Sequence, residues 1–132
     1  MPSRDVRVFA SPLPMSVPPF GEAAGAIVDF YGVVRGQEGA EAIDGIDYEA
    51  HGPMALHQLE RLAAEALGRF PILDLSLYHR VGFVPVAEPS LFLRIHAAHR
   101  GPAFAAAQWL IEQLKACVPI WKHPAVREGV AR

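Results

Sequence analysis

The sequence predicts an α+β domain: two helices packed on one mainly antiparallel sheet. Two stretches, opened by Gly52-Pro53 and by Gly101-Pro102, repeat apolar residues at helical spacing. Much of the remainder alternates apolar and polar residues or is rich in β-branched and aromatic ones, as strands are. Helices and strands do not simply take turns along the chain, which disfavours a continuous parallel sheet.

Residues 6–10 (Val-Arg-Val-Phe-Ala) read as a short strand. Residues 11–21 hold Pro12, Pro14, Pro18, Pro19 and Gly21 and read as a rigid loop. Residues 25–34 (Gly-Ala-Ile-Val-Asp-Phe-Tyr-Gly-Val-Val) read as a buried strand. Residues 36–40 form a glycine-bearing turn, a candidate mobile loop with Arg35 at its entrance. Residues 43–49 alternate as a strand. Pro53 suits the first turn of a helix, because its missing N–H would be unbonded there anyway. Leu59, Leu62, Ala63, Ala66, Leu67 and Phe70 make its apolar stripe, and Pro71 ends it.

Residues 72–80 alternate Leu73, Leu75 and Leu77 against Asp74, Ser76 and Tyr78, a half-buried strand. Residues 81–86 continue it past a bend near Gly82, and residues 91–97 form another strand. Phe104, Ala107, Leu110, Ile111 and Leu114 are the expected buried stripe of the second helix. Lys115 falls in its last turn. Pro119 cannot continue a helix, so the chain leaves near Val118 and runs extended through Ile120-Trp121. One domain is expected over residues 1–132, with a short C-terminal tail at 125–132.

The 132 residues suit a single core, and 52% apolar with 20% charged residues marks a globular chain. A formal charge of −2 offers nucleic acid no general attraction, so any anion site must be local. No apolar run is long enough to span a membrane, and the first residues lack the apolar core of a signal peptide. The single cysteine, Cys117, excludes an internal disulfide and fits a cytoplasmic, reducing location. At an apolar helix end it reads as a small core residue. No cysteine–histidine set has zinc spacing, and His96 and His99 point to opposite faces of a strand, so neither metal nor other cofactor is expected.

The most chemical stretch is Leu114-Lys115-Ala116-Cys117-Val118-Pro119-Ile120-Trp121-Lys122. A helix end and a strand bring Lys115 and Lys122 towards one place. Two close ammonium groups repel, which an anionic ligand or a titrating lysine would offset. Each lysine also has a plain reading, as a cation complementing a helix dipole or as surface charge. His99-Arg100-Gly101-Pro102 stands where a strand hands over to a helix. Free N–H groups, a guanidinium fork and an imidazole there suit a phosphate, or are ordinary surface groups. His51, His57, His79 and His96 read as structural or surface residues; His79-Arg80 has no helix behind it.

Several patterns then occur in one order. They are Gly25-Ala26-Ile27-Val28-Asp29-Phe30-Tyr31-Gly32-Val33-Val34-Arg35-Gly36, Asp47-Tyr48-Glu49-Ala50 with Pro53-Met54, and His79-Arg80-Val81-Gly82. His99-Arg100 with Ala103-Phe104 follows, then Leu114-Lys115 and Val118-Pro119-Ile120-Trp121-Lys122. Over residues 6–128 the chain closely resembles the large, catalytic subunit of molybdopterin synthase.

The resemblance implies an α/β-hammerhead fold and a homodimer of this chain within a heterotetramer. The partner would be a small ubiquitin-like sulfur carrier whose C-terminal Gly-Gly, as a thiocarboxylate, enters the large subunit. Two sulfurs would pass to cyclic pyranopterin monophosphate, making the dithiolene of molybdopterin. Lys115 and Lys122 match the family's essential lysines. Arg35, His99 and Arg100 match substrate-binding positions, and Val33, Val34, His123 and Pro124 would line the pocket. His123-Pro124 departs from the family's basic residue and glutamate, Ala98 replaces a serine, and the tail lacks a tryptophan. Those departures leave open a diverged, non-catalytic paralogue that holds carrier or pterin. A third reading is a ferredoxin-like small-molecule sensor, since residues 43–122 run strand–helix–strand–strand–helix–strand.

Overall fold

The expected segments appear as ten elements in a computed structural model that describes residues 2–127. They are β1 (Ser3–Phe9), β2 (Ala26–Val33), β3 (Gln37–Glu38), β4 (Glu41–Ala50) and α1 (Gly52–Arg69). β5 (Asp74–Arg80), β6 (Gly82–Pro85), β7 (Pro89–Ala97), α2 (Arg100–Cys117) and β8 (Ile120–Val126) follow.

The architecture is α+β, but the strands form two sheets where the sequence suggests one. The first runs β1-β5-β7-β2, with β1–β5 parallel and the other pairs antiparallel. In the second, β4 pairs with β3, β6 and β8. Gly82 divides them: at φ 85° it adopts a conformation most residues resist, and it turns the chain from β5 into β6 of the other sheet. The glycine turn after Arg35 is the tip of the β3–β4 hairpin, with Gly39 at φ 60°.

Both helices pack on one face of the first sheet. Leu59, Leu62, Ala63 and Ala66 of α1, Leu75 and Leu77 of β5, and Leu93 and Ile95 of β7 share one core with α2. The buried stripe of α2 is Ala103, Ala106, Ala107 and Leu110, while Phe104 is 60% exposed. A 100° step per residue turns position 104 away from the face that holds 103, 107 and 110. Cys117 is also exposed, not a core residue: it lies past the end of that stripe. Residues 11–21 form no regular element. Buried Arg94 ties them down, donating to the Ser16 carbonyl at 2.6 Å while forking onto Asp29 at 2.7 and 2.8 Å.

A second, smaller core joins Val34, Ile43, Ile46, Tyr48 and Val84. Ile43 and Ile46 are three apart, yet both are buried, because the β4–β8 register slips between Ile43 and Gly45. Residues 125–126 are not tail. Ala125 and Val126 pair with Gly45 and Ile43, and Arg127 donates from its backbone to the Ala42 carbonyl. Residues 128–132 of the expected tail lie outside the described residues.

Candidate active site

A cavity of about 630 Å³ opens where the two sheets meet. Phe30, Gly32 and Val33 come from β2, Ser90 and Leu91 from β7, and His79 from β5. Tyr48 comes from β4, Ile111, Leu114 and Lys115 from α2, and Ile120 and Lys122 from β8, with Val118 between them. α2 ends as its sequence dictates: Val118 turns extended at φ −92°, ψ 127°, and donates its N–H to the Leu114 carbonyl. The chain reverses through Pro119 into β8, so Lys115 and Lys122 border the same cavity from two elements.

Among the described residues no carboxylate lines this cavity, and neither lysine has an ion-pair or hydrogen-bond partner. They are also the only two lysines of the chain, against ten arginines. That usage is visible in the sequence and singles out both positions without any structure. Ammonium groups are compact point charges that can also lose a proton, which a guanidinium does not.

The wall opposite the lysines is polar in places. The β2–β7 register skips Ser90 between Gly32↔Leu91 and Val33↔Pro89, a bulge that leaves Ser90 extra on β7. Ser90 is buried, with its hydroxyl 3.5 Å from the Gly32 carbonyl and in a hydrogen bond with Tyr48. Burial pushes the Tyr48 phenol above its usual pKa, and the Ser90 bond opposes that rise. His79 stands edge-on to Tyr48, ring centroids 5.4 Å apart. Burial holds its imidazole below the usual value, partly offset by a bond to the Arg80 carbonyl. Tyr48, His79 and Ser90 are cavity residues that sequence reasoning did not single out as site residues.

The other expected site residues lie elsewhere. Val34 is 2% exposed and belongs to the smaller core, not the cavity wall: it follows outward-facing Val33 and turns the other way. Arg35 is exposed and borders a separate depression with Gly36, Gln37 and Gly39 at the β3–β4 hairpin. His123 does not line the cavity either; its Nε2 lies 3.0 Å from Glu49 Oε1, on the alternate face of β8 from Lys122. Pro124 sits opposite Ile46 in β8, whose pairing is with β4 alone, so its missing N–H breaks no second ladder. His99 is the extended N-cap residue of α2 and Arg100 its first residue. Fifteen residues of helix, about 22 Å at 1.5 Å per residue, separate Arg100 from Lys115.

Among the described residues no group of three His, Cys, Asp or Glu side chains is placed to hold a metal ion, and no helix is long and apolar enough to cross a membrane.

The sequence and the fold are similar to those of known proteins. The chain is 38% identical over 107 residues to the molybdopterin synthase catalytic subunit of Pyrococcus abyssi, an alignment spanning 81% of this chain and 72% of that protein. The crystal structure of molybdopterin synthase from Staphylococcus aureus superposes with a TM-score of 0.82 at 27% identity, covering 92% of this chain and 91% of that one. A Helicobacter pylori structure, described as a complex of subunits 1 and 2 of molybdopterin-converting factor, shares the fold with a TM-score of 0.64 at 22% identity, covering 83% and 76%. The family model for the MoaE protein matches residues 13–117, most of the chain, and this chain belongs to that family.

Proposed function

We propose that this chain is the catalytic subunit of a molybdopterin synthase. It takes sulfur from the thiocarboxylated C-terminal Gly-Gly of a small ubiquitin-like carrier and transfers it to cyclic pyranopterin monophosphate. The observation that carries this is the cavity flanked by the chain's only two lysines, both unpaired among the described residues. A thiocarboxylate and a phosphorylated pterin are both anionic, and an extended Gly-Gly end is slim enough to enter between β2 and β8. Lys115 and Lys122 stabilise the negative charge that develops as sulfur moves. The partner is supported by the Helicobacter pylori neighbour, which is described as a two-subunit complex.

Arg35, His99 and Arg100 are the anion-binding groups for the pterin phosphate in this reading. The helix of about 22 Å between Arg100 and Lys115 then has a consequence. One protomer cannot place both on one small substrate, so a homodimer supplies His99 and Arg100 from the second copy. Such a complex works as one domain per chain in the cytoplasm.

A diverged, non-catalytic paralogue would bind the carrier without turnover. The placement of Lys122 weighs against it: His123 and Pro124 occupy the edge strand without drawing that lysine from the cavity. Single-turnover conversion of cyclic pyranopterin monophosphate by the chain and a thiocarboxylated small subunit tests the proposal. Dithiolene product is expected. A stable complex that yields none overturns the catalytic reading.

A further inference from the structure

His79 continues a row that is otherwise core. On β5 it follows Leu75 and Leu77 on the same face, and its ring ends that row at the lysine cavity. Nδ1 lies 2.8 Å from the Arg80 carbonyl oxygen. A carbonyl cannot donate, so Nδ1 carries the hydrogen and Nε2 keeps its lone pair. Nε2 has no partner among the described residues and is not sealed from solvent, so it remains accessible.

The neighbours keep this ring neutral. Val8 and Leu91 stand beside it in register on either side. Tyr48 faces it from β4, Ser90 lies on β7, and Lys115 and Lys122 are the charged groups of α2 and β8 on the cavity. Among the described residues no carboxylate lines the cavity to hold an imidazolium, and burial lowers the ring's proton affinity further.

We propose that His79 is the catalytic base of this cavity, accepting a proton from the water that releases the carrier from the sulfurated pterin. This rests on the synthase reading above. A thiocarboxylate whose sulfur displaces an oxygen leaving group from a pterin side-chain carbon forms a C–S bond as that C–O bond breaks, and an acyl thioester then joins carrier and pterin. Water then adds to the acyl carbon: a C–O bond forms and one water proton passes to Nε2. The C–S bond breaks, and its electron pair leaves with sulfur as a pterin thiolate beside the two ammonium groups. The carrier departs as a carboxylic acid that ionises in solvent, and the imidazolium returns its proton to solvent. No oxidant or reductant is needed.

The test follows the carrier–pterin adduct by mass spectrometry after rapid quench, in the complex of this chain with thiocarboxylated carrier. His79→Asn preserves a donor for the Arg80 carbonyl but removes the base. The adduct is expected to accumulate and to decay about 100-fold more slowly than in wild type, the low end of what a general base supplies. The acid limb of wild-type decay, below the usual histidine pKa of about 6.5, is expected to vanish in the variant, with carrier affinity unchanged. Decay at the wild-type rate and pH profile overturns the role of His79. Should His79→Asn fail to fold, His79→Gln, which also lacks a base, is expected to show the same slow decay and lost acid limb. Absence of adduct and product in wild type overturns the synthase reading, and this inference with it; a normal wild type beside an unimpaired variant overturns the inference alone.

Discussion

The two ends of α2 both carry cations, yet they do different physical work. At the C-terminal end Lys115 faces a walled cavity, complements the partial negative charge of the helix end, and meets Lys122 across the Pro119 reversal. At the N-terminal end His99 and Arg100 are exposed, no side chain caps the helix, and neither residue lines the cavity. One end is a walled cavity bordered by two ammonium groups of a single chain. The other has suitable donors without walls. Cationic residues on one helix therefore need not serve one site of one chain.

Four experiments break or sharpen that contrast. The largest effect is expected from Lys115→Ala, which removes charge from the walled end. Turnover should fall about 10²- to 10³-fold, the range for loss of one preorganised electrostatic group, while the carrier complex persists on gel filtration. Next comes Leu110→Ala, in the buried middle of the same helix. Chemical denaturation should show a loss of about 2–5 kcal/mol, since a fully buried leucine leaves a cavity behind. An effect below about 1 kcal/mol would mean α2 is not held by that core.

The third experiment joins the two ends across protomers. Arg100→Ala and Lys115→Ala are each expected to retain at most about 1% of wild-type turnover. Mixed and re-equilibrated, they should recover about a quarter of wild-type activity, because half the dimers are mixed and each has one intact site of two. No recovery would show that each protomer uses both of its own ends. The smallest effect concerns His79. Its pKa is lowered in the fold, so the unfolded chain binds the proton more readily. Its contribution is therefore present above the unfolded value of about 6.5 and is lost as pH falls below it. The melting temperature of wild type should drop more between pH 7.5 and 5.5 than that of His79→Asn.

Local signals in the sequence are reliable where neighbours along the chain decide the structure. The helical stripe of Leu59, Leu62, Ala63 and Ala66 is buried, and the Lys115–Pro119–Lys122 turn brings both lysines to one cavity. What is not legible depends on distant partners. The run 72–86 reads as one bent strand, but Gly82 delivers its second half to another sheet. Ile43 and Ile46 break strand alternation through a register slip fixed by β8, some 80 residues on. His79 and Ser90 face a cavity that exists only because two sheets meet, so nothing beside them in the chain announces it. Val34 stands next to Val33 in the sequence and reads as its companion in the pocket, although strand parity sends the two opposite ways.

In the proposed reaction the lysine cavity receives the carrier's C-terminus. Carbodiimide activation of that terminal carboxylate in the assembled complex, followed by peptide mapping, tests it most directly. The chain's few amines make the result readable, since only Lys115 and Lys122 carry side-chain ammonium groups. An isopeptide bond from the carrier's last glycine to Lys115 or Lys122 is predicted. A complex that couples at neither lysine would contradict the account.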